Sequence, residues 1–256
     1  MPPKKQFWDT LAKRYPHFNT PSMSKDVQEI LAWTKEQGIA YEPQSTLLDI
    51  GSGTGTFSIP LALLHVKVTA IDPSANMLAI LEEDARNEGV IERIKTHQSD
   101  WDTFDVPRPY DIVLASMTPA IHDTFTIDKM IDASSKQGVF VSWGSYRLNP
   151  FVDALLQAHR PNELFSQTGS IKAQDVMARL DTKNCSYSSK CFETQWSDVY
   201  SFEEAKEYAK EQLERRSIVP DFARIEKLLQ ELVSDERIEI STKAEKVIVV
   251  WQHKPR

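Results

Sequence analysis

The sequence lacks the features that mark secreted and membrane proteins. Only two of the 256 residues are cysteine, and no apolar run approaches the length of about 20 residues that a bilayer-spanning helix needs. The segment after Met1 has lysines but no apolar stretch, so it does not resemble a secretory signal. We therefore expect a soluble, cytoplasmic protein with no membrane partner, in which Cys185 and Cys191 are reduced thiols.

Positive charge is also scarce. The chain has 30 Lys and Arg against 37 Asp and Glu, a formal net charge of −7. An acidic total argues against non-specific binding to nucleic acid, although a local basic patch would not change it. The hydrophobic fraction of 41% and the charged fraction of 26% are typical of a folded globular chain. No nucleic-acid partner is expected.

Metal-binding spacings are missing as well. The six histidines include no pair four residues apart, and the two cysteines do not form a C-x-x-C motif. The chain also contains no internal repeat and no low-complexity tract. We therefore expect no metal site.

The chain does contain an alternation of strand and helix patterns. Short apolar runs predict five strands, at 46–50, 66–71, 94–98, 110–116 and 139–143. Between them, apolar residues at helical spacing predict helices, two of which we expect to end at Gly89 and Gly138. This alternation requires crossover connections. It predicts an α/β fold: a doubly wound parallel sheet with helices on both faces.

The segments on either side of this core complete a single predicted domain, 1–256. We expect a helical lead-in at 1–45, the cofactor-binding core at 46–143, substrate-cover helices at 144–235 and a terminal hairpin of the sheet at 236–256. The hairpin prediction comes from two apolar runs separated by the polar segment 242–245. In a parallel sheet, such a hairpin would supply an antiparallel edge.

A glycine-rich loop, DIGSGTG from Asp49 to Gly55, follows the first predicted strand. Glycine has no Cβ, so the backbone of such a loop can closely approach a ligand. A dinucleotide-binding loop has the pattern G-x-G-x-x-G, but the position of its third glycine is Thr56 here. Asp49 would repel a pyrophosphate and would suit an ammonium or a sulfonium. The loop therefore disfavours NAD.

Two further acidic positions follow the next strands. Asp72 lies 21 residues after Gly51 and could accept both hydroxyls of a ribose, which fits NAD and S-adenosylmethionine equally. Asp100 could accept a hydrogen bond from an adenine amine, and Trp101 could cover the adenine ring. Alone, each of these residues also fits an ordinary turn or core role.

Together, four blocks resemble the class I S-adenosylmethionine-dependent methyltransferases in order and spacing. They are LLDIGSGTGTFSIPLA, IDPSANMLAIL, SDWDTF and YDIVLASM, within residues 45–143. The resemblance implies a Rossmann-like, seven-stranded sheet whose last strand is antiparallel, and S-adenosyl-L-methionine as cofactor. The segment FWDTLAKRYPHF, which includes Tyr15, also resembles the leading segment of small-molecule methyltransferases.

The same resemblance implies a role for each matching residue. Asp49 and the loop residues would hold the methionine end, Asp72 would bind the ribose hydroxyls, and Tyr15 would close over the cofactor. The full set of implied cofactor-binding residues is Tyr15, Asp49, Gly51, Ser52, Gly53, Gly55, Asp72, Pro73, Met77, Asp100, Trp101 and Ser116.

The loop 116–123 follows the fourth strand and is expected to face the methyl group, because ligands bind beyond the carboxyl ends of the strands. Its Met-Thr-Pro-Ala segment replaces the [Asn/Asp]-Pro-Pro-[Tyr/Phe] motif of relatives that methylate bases or glutamine. His122 is the candidate general base, since imidazole exchanges protons near neutral pH, and Asp123 could orient it. The alternative is that His122 is a plain loop residue. Tyr146 and Arg147 are further candidates for the acceptor pocket.

The sequence thus predicts methyl transfer from S-adenosylmethionine to a small-molecule acceptor. Three alternatives stay open at this point: an RNA or protein methyltransferase, an NAD-dependent oxidoreductase, and a non-catalytic adenosylmethionine-binding protein. Intact motifs argue against the last, and Asp49 and Thr56 argue against the second.

Overall fold

A seven-stranded sheet is the centre of the computed structural model, which describes residues 5–161, 173–183 and 185–254. The strands are β1 (Thr46–Ile50), β2 (Lys67–Asp72), β3 (Ile94–Gln98), β4 (Tyr110–Ser116), β5 (Ser134–Leu148), β6 (Cys185–Tyr200) and β7 (Ile238–His253). Their order across the sheet is β3-β2-β1-β4-β5-β7-β6. The order reverses at β1, so ligands are expected beyond its carboxyl end.

The direction of the strands confirms the predicted α/β fold. Strands β1 to β5 pair in parallel. Strand β7 runs the other way: the ring of His253 contacts the Ser134 hydroxyl at the start of β5, whereas the backbone N–H of Ser145 contacts Glu245. Against β6, His253 contacts Cys185 at the start of that strand, whereas Lys243 contacts Glu193 further along it. The last strand is therefore antiparallel to both neighbours.

Helices cover both faces of this sheet. They are α1 (Lys5–Leu11), α2 (Pro21–Glu36), α3 (Ser58–Leu63), α4 (Ala75–Asn87), α5 (Thr124–Asp132), α6 (Pro150–His159), α7 (Ala173–Thr182), α8 (Phe202–Glu214) and α9 (Phe222–Gln230). Successive strand residues point to opposite faces, so Leu47 and Leu48 enter two different buried clusters. No helix within the described ranges is long and apolar enough to cross a membrane.

The described chain divides into two compact units. The first holds the residues up to 143, those from 173 to 192 and those from 246 onward, and the second holds 144–161 and 193–245. The second unit has its own core, built from α6, α8 and α9 around residues such as Leu155, Ala209 and Ile225. Helix α7 belongs to the first unit, although we predicted it among the cover helices. That these helices cover the substrate stays a prediction.

The predicted terminal hairpin is wrong. Residues 238–253 form one continuous strand, without a turn at 242–245. Thr242 and Ala244 are buried and Lys243 is exposed, so the alternation of a strand continues through the polar segment. The Thr242 hydroxyl accepts a hydrogen bond from the Asn149 side-chain amide, 2.7 Å away, which satisfies the polar group in the interior.

The predicted helix end at Gly138 is also wrong. Helix α5 ends at Asp132, and Gly138 lies inside β5. A Cβ at this position would lie 1.9 Å from Cζ2 of Trp251, a fully buried side chain on β7. The glycine is therefore needed because an indole packs directly on its backbone, and it does not terminate a helix.

We expect Gly138→Ala to lower the free energy of unfolding by about 1–3 kcal/mol, since the added methyl group overpacks the core. Urea unfolding measures the loss. Trp251→Leu should make room for the methyl group, so the same alanine should cost less in that background. Equal losses in both backgrounds would contradict this account of Gly138.

Candidate functional site

A pocket that is partly open to solvent lies at the carboxyl ends of the parallel strands in the first unit. Its floor includes Asp49 of β1, Asp72 of β2 and Ser116 of β4. This edge, at the reversal of strand order, is where doubly wound sheets bind ligands. The structure therefore brings together the chain segments that the sequence motifs single out.

The three loop glycines have three different roles. Gly53 has φ of +53°, and nothing lies within 4 Å of where its Cβ would be, so its bare side faces open space in the pocket. A Cβ on Gly51 would lie 2.1 Å from Oγ1 of Thr118, in the loop after β4. A Cβ on Gly55 would lie 2.7 Å from Cγ of Leu81 on α4. Gly55 thus serves helix packing and is not among the residues that line the pocket.

Ser52 lines the pocket between the first two glycines. Its hydroxyl oxygen is buried and has no hydrogen-bond partner among the described residues. Leaving a buried polar atom unpaired costs about 1–3 kcal/mol. A ligand with a polar group at this point would satisfy it, so the loop fits a polar ligand end.

Asp72 is held by two backbone amides. Its Oδ2 accepts from the Gly53 N–H at 3.0 Å, and its Oδ1 accepts from the Ser74 N–H at 2.8 Å. The side chain lines the pocket, and each oxygen keeps a second lone pair for a ligand hydroxyl. Burial raises the pKa of Asp72 despite these bonds. The carboxylate is thus held in place by the backbone, and its binding of ribose hydroxyls stays a prediction.

Asp49 is only 3% exposed. Burial raises its pKa to about 7, the hydrogen bond from the Ser58 hydroxyl at 2.6 Å opposes this, and the Asp72 charge adds to it. A positively charged ligand group nearby would return the carboxylate to its ionised form. This site therefore suits an ammonium or a sulfonium.

Residues implied for the adenine also line the pocket: Pro73, Met77, Asp100 and Trp101. Trp101 is 2% exposed and donates its indole N–H to the Thr126 carbonyl at 3.1 Å. The Lys129 ammonium lies 4.5 Å from its ring centroid. Trp101 is thus mainly a core residue that presents a small edge to the pocket, so it has little free face to cover a ring.

The two candidate catalytic residues have different surroundings. His122 lines the pocket, and its Nε2 lies 3.1 Å from Oδ1 of Asp102. Asp123 is the N-cap of α5: it accepts from the Thr126 N–H at 2.8 Å and lies outside the pocket lining. Its Oδ2 is 3.7 Å from Nδ1 of His122. The geometry therefore gives Asp123 a capping role and makes Asp102 the closer partner of the imidazole.

Comparison with known proteins decides what kind of domain this is. Residues 47–136 match the family model of a methyltransferase domain. Residues 47–136 therefore form a methyltransferase domain, as the sequence predicts.

Individual relatives of this methyltransferase domain are distant. An uncharacterised protein of Haemophilus influenzae is 32% identical over 142 residues, which are 56% of this chain and 50% of that protein. A release factor glutamine methyltransferase of Cereibacter sphaeroides is 35% identical over 79 residues, which are 29% of this chain and 27% of that protein. The chain thus spans half or less of the curated relatives it matches.

Solved structures show the same fold. An S-adenosylmethionine-dependent methyltransferase from Geobacter sulfurreducens, in complex with S-adenosylhomocysteine, superimposes with a TM-score of 0.53 at 15% identity. The match covers 100% of this chain and 99% of the other. Such a likeness supports the fold of the methyltransferase domain.

The N-terminal segment is fastened to this domain beside the pocket. The Ser74 hydroxyl donates to Asp9 at 2.6 Å, and the Thr54 hydroxyl donates to the Pro16 carbonyl at 2.8 Å. Trp8 and Tyr15 line the pocket, and burial raises the pKa of Tyr15, with a contribution from the Asp72 charge. Tyr15 thus lies near Asp72 in the pocket, and its closing over the cofactor stays a prediction.

Sequence reasoning missed several pocket residues. They are Trp8, Met23, Asp26, Val27, Ile30, Asp102 and Lys246. The apolar stripe of α2 was visible in the sequence, but its period alone does not distinguish a core from a pocket wall. Tyr146 and Arg147 lie in the second unit and are not among the lining residues, so their acceptor role stays a prediction.

Charge in the pocket is predominantly negative. Its lining includes five aspartates and one lysine: Asp26, Asp49, Asp72, Asp100, Asp102 and Lys246. Such a pocket attracts a sulfonium and repels a pyrophosphate. Within the described ranges, no group of three or more His, Cys, Asp or Glu residues is arranged to hold a metal ion, and Cys185 and Cys191 are not joined in a disulfide.

We expect Asp49→Asn to stabilise the ligand-free protein above pH 7, by up to about 4 kcal/mol. Between pH 3.8 and about 7, the folded state keeps the Asp49 proton that the unfolded state has lost, so wild-type stability falls as the pH rises through this window. Urea unfolding between pH 5 and pH 8 should show the gain of the variant growing with pH.

Asp111→Asn is the control of opposite sign. The Lys136 ammonium and hydrogen bonds from Thr46 lower the pKa of Asp111 to about 2. This variant should therefore be destabilised, and its loss of stability should stay constant between pH 5 and pH 8. A gain of Asp49→Asn that does not change with pH would contradict the assigned protonation of Asp49.

Proposed function

We propose that the protein transfers the methyl group of S-adenosylmethionine to a small-molecule acceptor. When bound, this cofactor supplies an electrophilic methyl group on a positively charged sulfur. The observation that carries the proposal is the match between the pocket and the cofactor: fixed and buried carboxylates, an unpaired hydroxyl and an open glycine at the edge of β1 and β2.

In this proposal each polar group has one task. Asp72 binds the ribose hydroxyls, Asp49 faces the positive charge of the methionine end, and Ser52 donates or accepts at the polar end of the cofactor. Asp100, which lines the pocket, accepts a hydrogen bond from the adenine amine. Positioning of the cofactor against the acceptor and exclusion of water then provide most of the rate enhancement.

The enclosure of the pocket supports a small acceptor. Trp8 and Tyr15 of the fastened N-terminal segment and Met23, Val27 and Ile30 of α2 wall the pocket. A nucleic acid or a protein substrate needs an open approach and, for nucleic acid, a basic surface. The lining has one lysine and five aspartates, which disfavours RNA.

His122 is the proposed general base. It lines the pocket, and the Asp102 carboxylate, 3.1 Å from Nε2, would stabilise the imidazolium that forms when His122 takes a proton from the acceptor. This role applies to acceptors that lose a proton on methylation.

The acceptor class is tested by the destination of the label. The protein is incubated with methyl-labelled S-adenosylmethionine and, separately, with the low-molecular-mass and macromolecular fractions of a cell extract. We expect label in the small-molecule fraction alone. Label in RNA or protein would contradict the proposal.

Asp72→Ala should weaken S-adenosylmethionine binding about ten- to a hundredfold, because hydrogen bonds to a charged group contribute about 1.5–3 kcal/mol. Calorimetric titration measures the dissociation constant. Glu83→Gln, an exposed position on α4, is the matched control and should bind normally. Unchanged affinity in Asp72→Ala would contradict the ribose placement.

His122→Ala should slow methyl transfer about a hundredfold or more and leave the cofactor affinity unchanged, as expected for loss of a general base. Single-turnover assays with the labelled small-molecule fraction measure the rate, and titration measures the affinity. If the variant transfers the methyl group at the wild-type rate, proton removal does not depend on His122.

A further inference from the structure

The order of the strands places the pocket residues in a row. From β3 towards β7, the strands or the loops that follow them contribute Asp100, Asp72, Asp49, Ser116, Val141 and Lys246. In the proposed function, the cofactor occupies the first three positions. The acceptor therefore lies at the opposite end of the row, next to β5 and β7.

An ion pair is the main polar feature of that end. The Lys246 ammonium on β7 pairs with Oδ2 of Asp26 on α2, and both residues line the pocket. The Lys246 side chain is only 13% exposed and lies near the ring of Trp143, whereas that of Asp26 is 26% exposed. Asp26 is thus the more accessible partner of the pair.

Apolar side chains line the same pocket as the pair. Met23, Val27 and Ile30 come from the same helix as Asp26, Met117 directly follows β4, and Val141 lies on β5. An acceptor that fills this end must have an apolar body, and its polar group must meet the pair, because a buried charge needs a partner.

The balance of charge determines which polar group fits. Asp26 already neutralises Lys246, so Asp49, Asp72, Asp100 and Asp102 stay in excess. The cofactor has one net positive charge, from a sulfonium, an ammonium and a carboxylate, and does not compensate for four aspartates. An anionic acceptor would therefore be repelled, whereas a cationic one would be attracted.

We propose that the acceptor is a small amine with an apolar body, and that the Asp26 carboxylate, oriented by Lys246, receives its amino group. This inference rests on the proposed function. A carboxylate has about four lone-pair positions, so Asp26 can accept a hydrogen bond from the ligand in addition to its contacts within the protein, including that with Lys246. Asp26 is thus a specificity-determining residue, and Lys246 is a positioning residue.

Two probes with the same phenylethyl body and opposite charge test this inference: 2-phenylethylamine and 3-phenylpropionate. Each is titrated into the protein saturated with S-adenosylhomocysteine. We expect the amine to bind at least tenfold more tightly than the carboxylate. Asp26→Asn should abolish this preference, since it removes the carboxylate and leaves Lys246 free to attract the anion.

Glu29→Gln is the matched control, because Glu29 lies on the same helix, half-exposed and outside the pocket lining. It should keep the wild-type preference. Lys246→Met is a second variant, to be used if Asp26→Asn has a much lower melting temperature than the wild type. It removes the neutralising cation, so amine binding should tighten several-fold.

Tighter binding of the carboxylate to the wild type would overturn the inference. So would binding of neither probe at millimolar concentration, or equal effects of Asp26→Asn and Glu29→Gln. Titration with S-adenosylhomocysteine alone separates the two claims. If S-adenosylhomocysteine binds normally but the probes show no selectivity, the amine acceptor is rejected. If S-adenosylhomocysteine does not bind to the wild type, the proposed function itself is contradicted.

Discussion

The burial of Asp49 and Asp72 at the ends of two adjacent strands is the constraint on which the rest of the site depends. Burial raises the pKa of both carboxylates. The Asp72 charge raises the pKa of Asp49 further, and the charges of Asp9 and Asp100 do the same for Asp72. Folding alone gains nothing from such an arrangement. A positively charged ligand recovers this energy, so the fold is prepared for a cation before any ligand binds.

The surrounding loop is shaped by the same constraint. The amides of Gly53 and Ser74 hold the Asp72 carboxylate, and the missing side chain of Gly51 admits Thr118 from the loop after β4. The glycine loop thereby links the carboxylates to the segment that contains His122. On the other side, hydrogen bonds from Ser74 and Thr54 attach the N-terminal segment, so the pocket wall and floor form within one unit.

Local signals explain why so much of the fold and the cofactor site could be predicted. The strand before Gly51, the glycine spacing and Asp72 are all coded within short segments. The errors arise where residues distant in sequence determine the local structure. Gly138 is required by Trp251, more than 100 residues away, and the polar segment 242–245 stays extended because Asn149 satisfies Thr242. The Asp26–Lys246 pair joins positions 220 residues apart, which no local pattern indicates.

The most direct test of this account is calorimetric titration of the wild-type protein with S-adenosylmethionine, S-adenosylhomocysteine and NAD in parallel. The account predicts binding of the first two and no binding of NAD, because the aspartates repel a pyrophosphate. It also predicts that a ligand that places a cation beside Asp49 binds with release of the Asp49 proton. Binding of NAD alone would contradict the assignment of the pocket and redirect the search to hydride transfer.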